Sequence, residues 1–284
     1  MKKALFLYSG CTGGRRAGKR IAKAIERLSA VYDLETIKTE SQEELISRCA
    51  SSCGAYDLLI IAGGDGSFHH AVNAVKKQGD APILGFLNVG TMGDVGRVFG
   101  IGRTFQKNLR ILESGHSETF DLGKINRDYF VYMAAVGAYS DVSYTAKRKR
   151  KEKFGRFVYY WLSMKEAFRK IRLKGSYVMK EERKEFNAPF LLILNGTNVG
   201  GFEVGKDSDP QDGKLEFFLT PEGIFNGLLH YFLPGRNFEK QIENLRISLE
   251  NECTWCLDGE SKTMDSEVCI SVEPNGIRVL CDKK

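Results

Sequence analysis

The stretch from Tyr56 to Val75, YDLLIIAGGDGSFHHAVNAV, commits its part of the chain to a buried strand, a glycine turn and a helix in that order. Leu58, Leu59, Ile60 and Ile61 form a short continuous apolar run, the pattern of a strand covered on both faces in a parallel sheet. Phe68, Ala71, Val72 and Val75 then recur at the spacing of one helix face. Between the two lie Gly63, Gly64, Asp65, Gly66 and Ser67. Glycines remove the Cβ atoms that block close backbone approach, and the start of a helix offers unpaired N–H groups to an anion. Such a turn suits a polyphosphate. A carboxylate in the same turn makes sense only if it faces a cation or a proton to be removed, so Asp65 points to chemistry rather than simple holding.

The alternation extends through the first 122 residues. Lys3 to Tyr8, Val31 to Lys38, Leu58 to Ile61 and Ile83 to Leu87 read as strands. Ile21, Ile25 and Leu28 mark a helix face. Glu43 to Cys49, Phe68 to Lys77 and the run through Phe105, Leu109 and Leu112 are further helices, the last stopping at Gly115. Repeated βα units imply a parallel sheet covered by helices, with ligands at the carboxyl ends of its strands. After Asp121 the rhythm changes, and a domain boundary is expected near residues 122–124. Tyr129 to Ala138, Pro189 to Asn195 and Lys214 to Leu219 read as strands, Phe157 to Ile171 and Pro221 to Phe232 as helical. The segments 245–250, 253–257, 267–273 and 276–281 are short and β-branched, an antiparallel pattern.

Composition removes several function classes. With 42 basic residues mixed among 36 acidic ones, the net charge of +6 is too mild for a histone-like nucleic-acid binder. There is no apolar run of the ~18 residues that a membrane span requires, and Met1-Lys-Lys leads straight into the strand-like ALFLY, so a cytoplasmic protein is expected. Seven cysteines without an export signal fit reduced thiols. Cys253 and Cys256 have zinc-ligand spacing, with Cys49 and Cys53 as a second pair, but this spacing alone is a weak signal and single buried thiols are the expected reading. His69, His70, His116 and His230 are scattered, and none sits in a metalloprotease motif or beside a plausible nucleophile. A hydrolase triad is not expected.

Four further stretches could carry function. In LNVGTMGDVGR, Gly90 allows tight backbone and Thr91 offers a hydroxyl to phosphate; Asp94 is either a helix N-cap or a carboxylate in the same cleft as Asp65. In LDGE, Asp258 and Glu260 face one side of an extended chain and repel each other, which prepares one of them as a base near neutral pH; a plain Asp-Gly hairpin is the alternative. DSDPQDGKLEF, beginning at Asp207, crowds Asp207, Asp209 and Asp212 into a turn that either holds a hard cation or is solvated. The run Lys147 to Lys153, KRKRKEK, precedes Phe154, Phe157, Tyr159, Tyr160 and Trp161. It suits an anionic lipid surface, or is a solvated loop. No nucleic-acid-recognition motif accompanies it.

These residues together resemble the diacylglycerol kinase catalytic-domain family of bacterial soluble lipid kinases, which includes the sphingosine kinases. GGDGS is similar to that family's GGDGT, GTMGDVGR to its GTxNDFxR and LDGE to its terminal DGE. Similarity also runs through GHSETFDLGKINRDYF and GFEVGKDSDPQDGKLEF. The resemblance implies an α/β nucleotide-binding domain over 1–122, three-layered around a mostly parallel sheet. An antiparallel β-sandwich lipid-substrate domain follows over 123–284, whose last strand can return to the first domain.

The activity implied is transfer of the γ-phosphoryl group of ATP to a hydroxyl of a membrane lipid, diacylglycerol first among them. The phosphates would be held by Gly63, Gly64, Asp65, Gly66 and Ser67, by Thr91, and by the loop Ser9, Gly10, Cys11, Thr12 and Gly13, with Thr39 as a further contact. Asp65, Asp94 and Asp121 would form the catalytic Mg²⁺ network. Glu260, with Asp258 beside it, would accept the lipid proton. Asp212, with carbonyls near Asp209 and Lys214, matches a structural Mg²⁺ site. A homodimer at the inner face of the membrane, in peripheral contact with its anionic surface, completes the expectation. The alternatives are an NAD kinase-like enzyme, which shares the GGDG turn, and a non-catalytic nucleotide- or membrane-binding relative. Three positions depart from the family pattern: Ser9-Gly10 stands for Asn-Pro, Gly93 for Asn, and Ser67 for Thr.

Overall fold

The computed structural model describes residues 1–9, 14–90, 93–101, 104–137, 172–199, 202–203, 208–220 and 238–283. It divides into two compact units, Met1–Phe120 with Asn275–Lys284, and Asp121–Pro274.

The first unit is built from β1 (Lys3–Ser9), α1 (Gly14–Leu28), β2 (Asp33–Thr39), α2 (Gln42–Ser51), β3 (Leu58–Gly63), α3 (Asp65–Gln78), β4 (Ile83–Asn88), α4 (Asp94–Val98), α5 (Phe105–Ser114) and the start of β5 (Ser117–Ile125). Its strands lie in the order β2-β1-β3-β4, all parallel, and the end of the chain's last strand adds beside β4 with Val279 opposite Leu84. Every residue of β3 is buried, as the continuous apolar run requires of a strand with helices on both faces. Successive residues of β4 face opposite layers. The Phe86 ring meets Phe68 of α3 at a centroid distance of 5.0 Å, whereas a Cβ on Gly85 would come within 2.8 Å of Leu112 of α5. With α2 packed on α3 and α1 on α5, the sheet is the middle of three layers. Local signals set the helix ends. Ser41 Oγ accepts from Glu44 N at 3.1 Å, Thr104 Oγ1 accepts from Lys107 N at 3.3 Å, and Gly115 ends α5 with φ 65°.

The second unit holds the rest of β5, then β6 (Asp128–Phe130), β7 (Met133–Gly137), β8 (Leu173–Met179), β9 (Glu182–Ala188), β10 (Phe190–Leu194), β11 (Asn198–Val199), β12 (Phe202–Glu203), β13 (Leu215–Leu219), β14 (Phe238–Ile242), β15 (Asn244–Leu249), β16 (Cys253–Leu257), β17 (Glu260–Met264) and most of β18 (Glu267–Leu280). One antiparallel sheet runs β18-β15-β8-β9 and the other β14-β13-β10-β7-β16-β17. Their inner faces share one core, with Tyr177, Ile247, Val268 and Ile270 from the first and Leu191, Ile193, Phe217, Trp255 and Leu257 from the second. The Tyr177 and Phe217 rings meet edge to face at 5.2 Å. This is a β-sandwich. Trp255 is wholly buried in it, and truncating such a side chain costs roughly 3–5 kcal/mol.

Several elements differ from the sequence reading. Up to Gly137, the strand expected from Tyr129 to Ala138 is two strands, because the N–H groups of Val131 and Tyr132 turn to the carboxylate of Asp258 instead of a ladder. The segments 267–273 and 276–281 are one strand, β18, which continues through Pro274 and Asn275 as it passes from one unit to the other. The hairpin of β8 and β9 escapes sequence reading because its turn, Lys180 and Glu181 at φ 49° and 69°, lacks the Asn or Gly that such angles favour. The helices expected at 157–171 and 221–232, and the basic run 147–153, lie outside the described residues.

Candidate active site

The strand register gathers the predicted phosphate contacts of the first unit on one edge of the sheet. Ser9 pairs with Thr39, Tyr8 with Ala62 and Gly63 with Asn88, so β1 to β4 all end there. Thr39 is buried and its hydroxyl donates to Tyr8 O at 3.4 Å. Gly64 is the N-cap of α3 in extended backbone (φ −99°, ψ −177°), and no side chain caps the helix. That leaves the first turn, with Gly66 and Ser67, to an external acceptor. The Ser67 side chain fills the space beside Gly63, 2.7 Å from where a Cβ would stand. Most telling is the second turn: a Cβ on Gly90 would lie 2.8 Å from Gly64 Cα, so the two glycine turns are in direct apposition. Gly10, Cys11, Thr12, Gly13 and Thr91 lie outside the described residues.

Asp65 ties the two turns together. Its Oδ2 accepts from Gly93 N at 3.0 Å and Asp94 N at 3.3 Å, and its Oδ1 from Val95 N at 3.2 Å. Asp65 therefore caps α4 across the sheet edge. Asp94 is not the N-cap; it is the first helical residue, with Gly93 capping at φ 70°, ψ 35°. Asp94 is buried and paired with Arg97. Burial, and next the neighbouring Asp94 charge, push the Asp65 carboxyl up to about 6 against the three hydrogen bonds that lower it. A buried carboxylate, Asp94, and a half-buried one, Asp65, stand together at a strand end, and such hard oxygen donors are of the kind Mg²⁺ takes. Such an edge can hold a polyphosphate through N–H groups and a cation through its carboxylates.

Asn88 is a residue that sequence reasoning misses. Its Oδ1 accepts from Gly90 N at 2.9 Å, and its Nδ2 lies 2.2 Å from where a Cβ on Gly93 would stand. The carboxamide that a side chain at position 93 would supply is thus replaced in space by that of Asn88. Only the missing side chain at Gly93 could have hinted at it.

In the second unit, Asp121 is buried and its Oδ2 accepts from Gly213 N at 2.7 Å, while its N–H donates to Pro210 O at 2.8 Å. It thereby joins the acidic turn. Asp209 and Asp212 are exposed and accept from the N–H groups two residues on, Gln211 and Lys214. Glu216, from the following strand, is buried. Its Oε2 accepts from Ser208 Oγ at 2.5 Å, and its Oε1 has no hydrogen-bond partner among the described residues. Burial, helped by the charge of Asp212, pushes Glu216 up to about 7. The alternation of β13 would place Glu216 opposite the core side of Leu215 and Phe217, so its sequence carries no sign of this burial.

The extended reading of LDGE does not hold. Asp258 and Gly259 have φ 51° and 93° and form the turn of the β16–β17 hairpin, with Leu257 opposite Glu260. Asp258 is buried and accepts from Val131 N, Tyr132 N and Met133 N at 2.7, 2.9 and 3.1 Å. A carboxylate held by three backbone donors anchors the turn. Glu260, partly exposed at the start of β17, keeps the exposure a base needs.

The zinc reading of Cys253 and Cys256 also gains nothing. Both lie on β16 three residues apart, so their side chains point to opposite faces. Burial pushes the Cys49 thiol up to about 12. No helix among the described residues is long and apolar enough to cross a membrane.

Comparison with known proteins gives this geometry a family. Residues 3–125 match the diacylglycerol kinase catalytic domain. A diacylglycerol kinase of Staphylococcus aureus (strain bovine RF122 / ET3-1) is 32% identical over 236 residues, 81% of this chain and 74% of the relative. One from Staphylococcus saprophyticus subsp. saprophyticus is 28% identical over 275 residues, 91% of this chain and 89% of its own. A crystal structure of a diacylglycerol kinase from Bacillus anthracis str. Sterne has the same fold, with a TM-score of 0.85 at 20% identity, covering 99% of this chain and 97% of that one. This chain belongs to the diacylglycerol kinase catalytic-domain family.

Proposed function

We propose that this protein is an ATP-dependent lipid kinase that transfers the γ-phosphoryl group to a hydroxyl of a membrane lipid, with diacylglycerol as first acceptor. The observation that carries the reading is the apposition of Gly64 and Gly90, with Asp65 tied to the turn of Asp94, in a chain of this family. Backbone N–H groups at the start of α3 grip the phosphates, helped by Ser67, Thr39, Ser9, the loop Gly10 to Gly13, and Thr91. Asp65 and Asp94 would hold the cation on the first unit. Mg²⁺, when bound, supplies neutralisation of the phosphate charge. Glu260 accepts the proton of the lipid hydroxyl, and Asp258 fixes the hairpin from which Glu260 projects.

The orphaned Oε1 of Glu216, whose carboxyl feels the charge of Asp212, supports a structural Mg²⁺ in the acidic turn of Asp209, Asp212 and Lys214. Clustered charge and aromatic residues from Lys147 to Trp161 support peripheral contact with the anionic inner face of the membrane. A homodimer of otherwise cytoplasmic chains completes the proposal.

Purified protein given Mg-ATP and a panel of diacylglycerol, sphingoid, polyprenol and NAD acceptors tests the reading. Phosphorylated lipid is the expected product, and Asp65→Asn should abolish it. Phosphorylated NAD without lipid product, or silence toward every acceptor despite tight ATP binding, would overturn it.

A further inference from the structure

His116, Glu118 and Cys281 bring one nitrogen, one oxygen and one sulfur donor together on the first unit, with the three ligand atoms all within 4.8 Å of one another. Among the described residues no other group of three such side chains meets this closeness. The chain path explains the meeting. Gly115 turns the chain out of α5, and positions 116 and 118, two apart in extended backbone, project to one side. Cys281 follows β18, and its N–H donates to His116 O at 3.1 Å, which pins the two segments together.

We infer that these three side chains form a binding site for a divalent zinc-class ion, a site independent of the kinase reading. The donor set selects the metal: a thiolate and an imidazole suit Zn²⁺ and disfavour Mg²⁺ or Ca²⁺, which take oxygen alone. The spacing agrees. In a tetrahedral zinc site, bonds of about 2.0–2.3 Å put neighbouring donors roughly 3.3–3.7 Å apart. His116 Nε2 and Glu118 Oε1 already stand 3.3 Å apart. The environment agrees too. The thiol of Cys281 sits at the buried base, whereas His116 and Glu118 are 30% and 26% exposed, leaving an aqueous mouth for entry and a fourth ligand. Asp282 lies within electrostatic reach of His116 and is paired with Lys107 at 2.8 Å. Binding releases the thiol proton to solvent as the S–metal bond forms, and it clips the last residues of the chain to the start of β5.

Titration of the full-length, metal-stripped protein with Co²⁺ tests the inference. One equivalent should produce a thiolate-to-cobalt charge-transfer band that Zn²⁺ displaces. Cys281→Ser should lose the band, and His116→Gln should weaken binding by about tenfold or more. Zn²⁺ should raise the thermal midpoint of the parent protein and not of the variants. No band in the parent protein, or a band undiminished in Cys281→Ser, would overturn the site. Should Cys281→Ser fail to fold by circular dichroism, His116→Gln decides, because its side chain is part-exposed; undiminished cobalt affinity there overturns the site equally.

Discussion

Gly64 and Gly90 come so close that a single methyl group on Gly90 would sit 2.8 Å from the Gly64 Cα. Backbone on both sides leaves nothing flexible to yield. Gly90→Ala should therefore push the two turns apart, costing about 1–3 kcal/mol in stability. The same displacement should lower kcat/KM by roughly tenfold or more through misplaced phosphates. Thermal melts and an ATP-dependent kinase assay read the two effects; parent-like kinetics would mean that the apposed turns do not hold the nucleotide.

Asn88 and Gly93 form a second pair. Gly93→Asn puts a Cβ where the Asn88 amide stands, displacing Asn88 from Gly90 N. The single variant should lose about 1 kcal/mol of stability for the broken hydrogen bond, together with nucleotide affinity. The double variant Asn88→Ala, Gly93→Asn should recover part of the affinity. Isothermal titration with ATP measures this, and equal affinities in the two variants would separate Asn88 from the phosphate site.

Asp258 and Glu260, two residues apart, should respond oppositely. Asp258→Ala strands three buried N–H groups and should destabilise the protein by about 3 kcal/mol or more. Glu260→Gln should leave the thermal midpoint unchanged while lowering kcat about a hundredfold. A stable Asp258→Ala with low kcat would reverse the two roles.

Glu216 predicts a pH dependence. Its folded carboxyl is raised from 4.5 to about 7, chiefly by burial, so between those values the folded chain binds a proton that the unfolded chain has lost. Its contribution is full below pH 4.5 and is lost as pH rises through about 7. In EDTA, Glu216→Gln should remove this fall and be more stable than the parent above pH 7, by up to about 3 kcal/mol. Urea melts at pH 5 and 8 decide it; an identical pH slope in the two proteins would remove Glu216 from the ionising groups.

Much of the first unit was legible because its signals are local. The apolar run of β3, the helix face from Phe68 to Val75 and the stop at Gly115 each depend on residues within a few positions of one another. The GGDGS turn was legible for the same reason. The β8–β9 hairpin was not, since Lys180 and Glu181 adopt angles that their side chains disfavour and that only the surrounding strands impose.

By itself, then, the sequence determined the α/β and antiparallel halves, the glycine turns and the family motifs, all carried by periodicity and short spacing. Tertiary structure alone decided what each carboxylate does. Asp65 caps a helix 28 residues away, Asp258 holds backbone more than 120 residues distant, and Glu216 is buried on what its strand pattern makes the outer side. A carboxylate's role depends on which N–H groups and charges surround it and how much water remains, and folding brings those neighbours from remote parts of the chain.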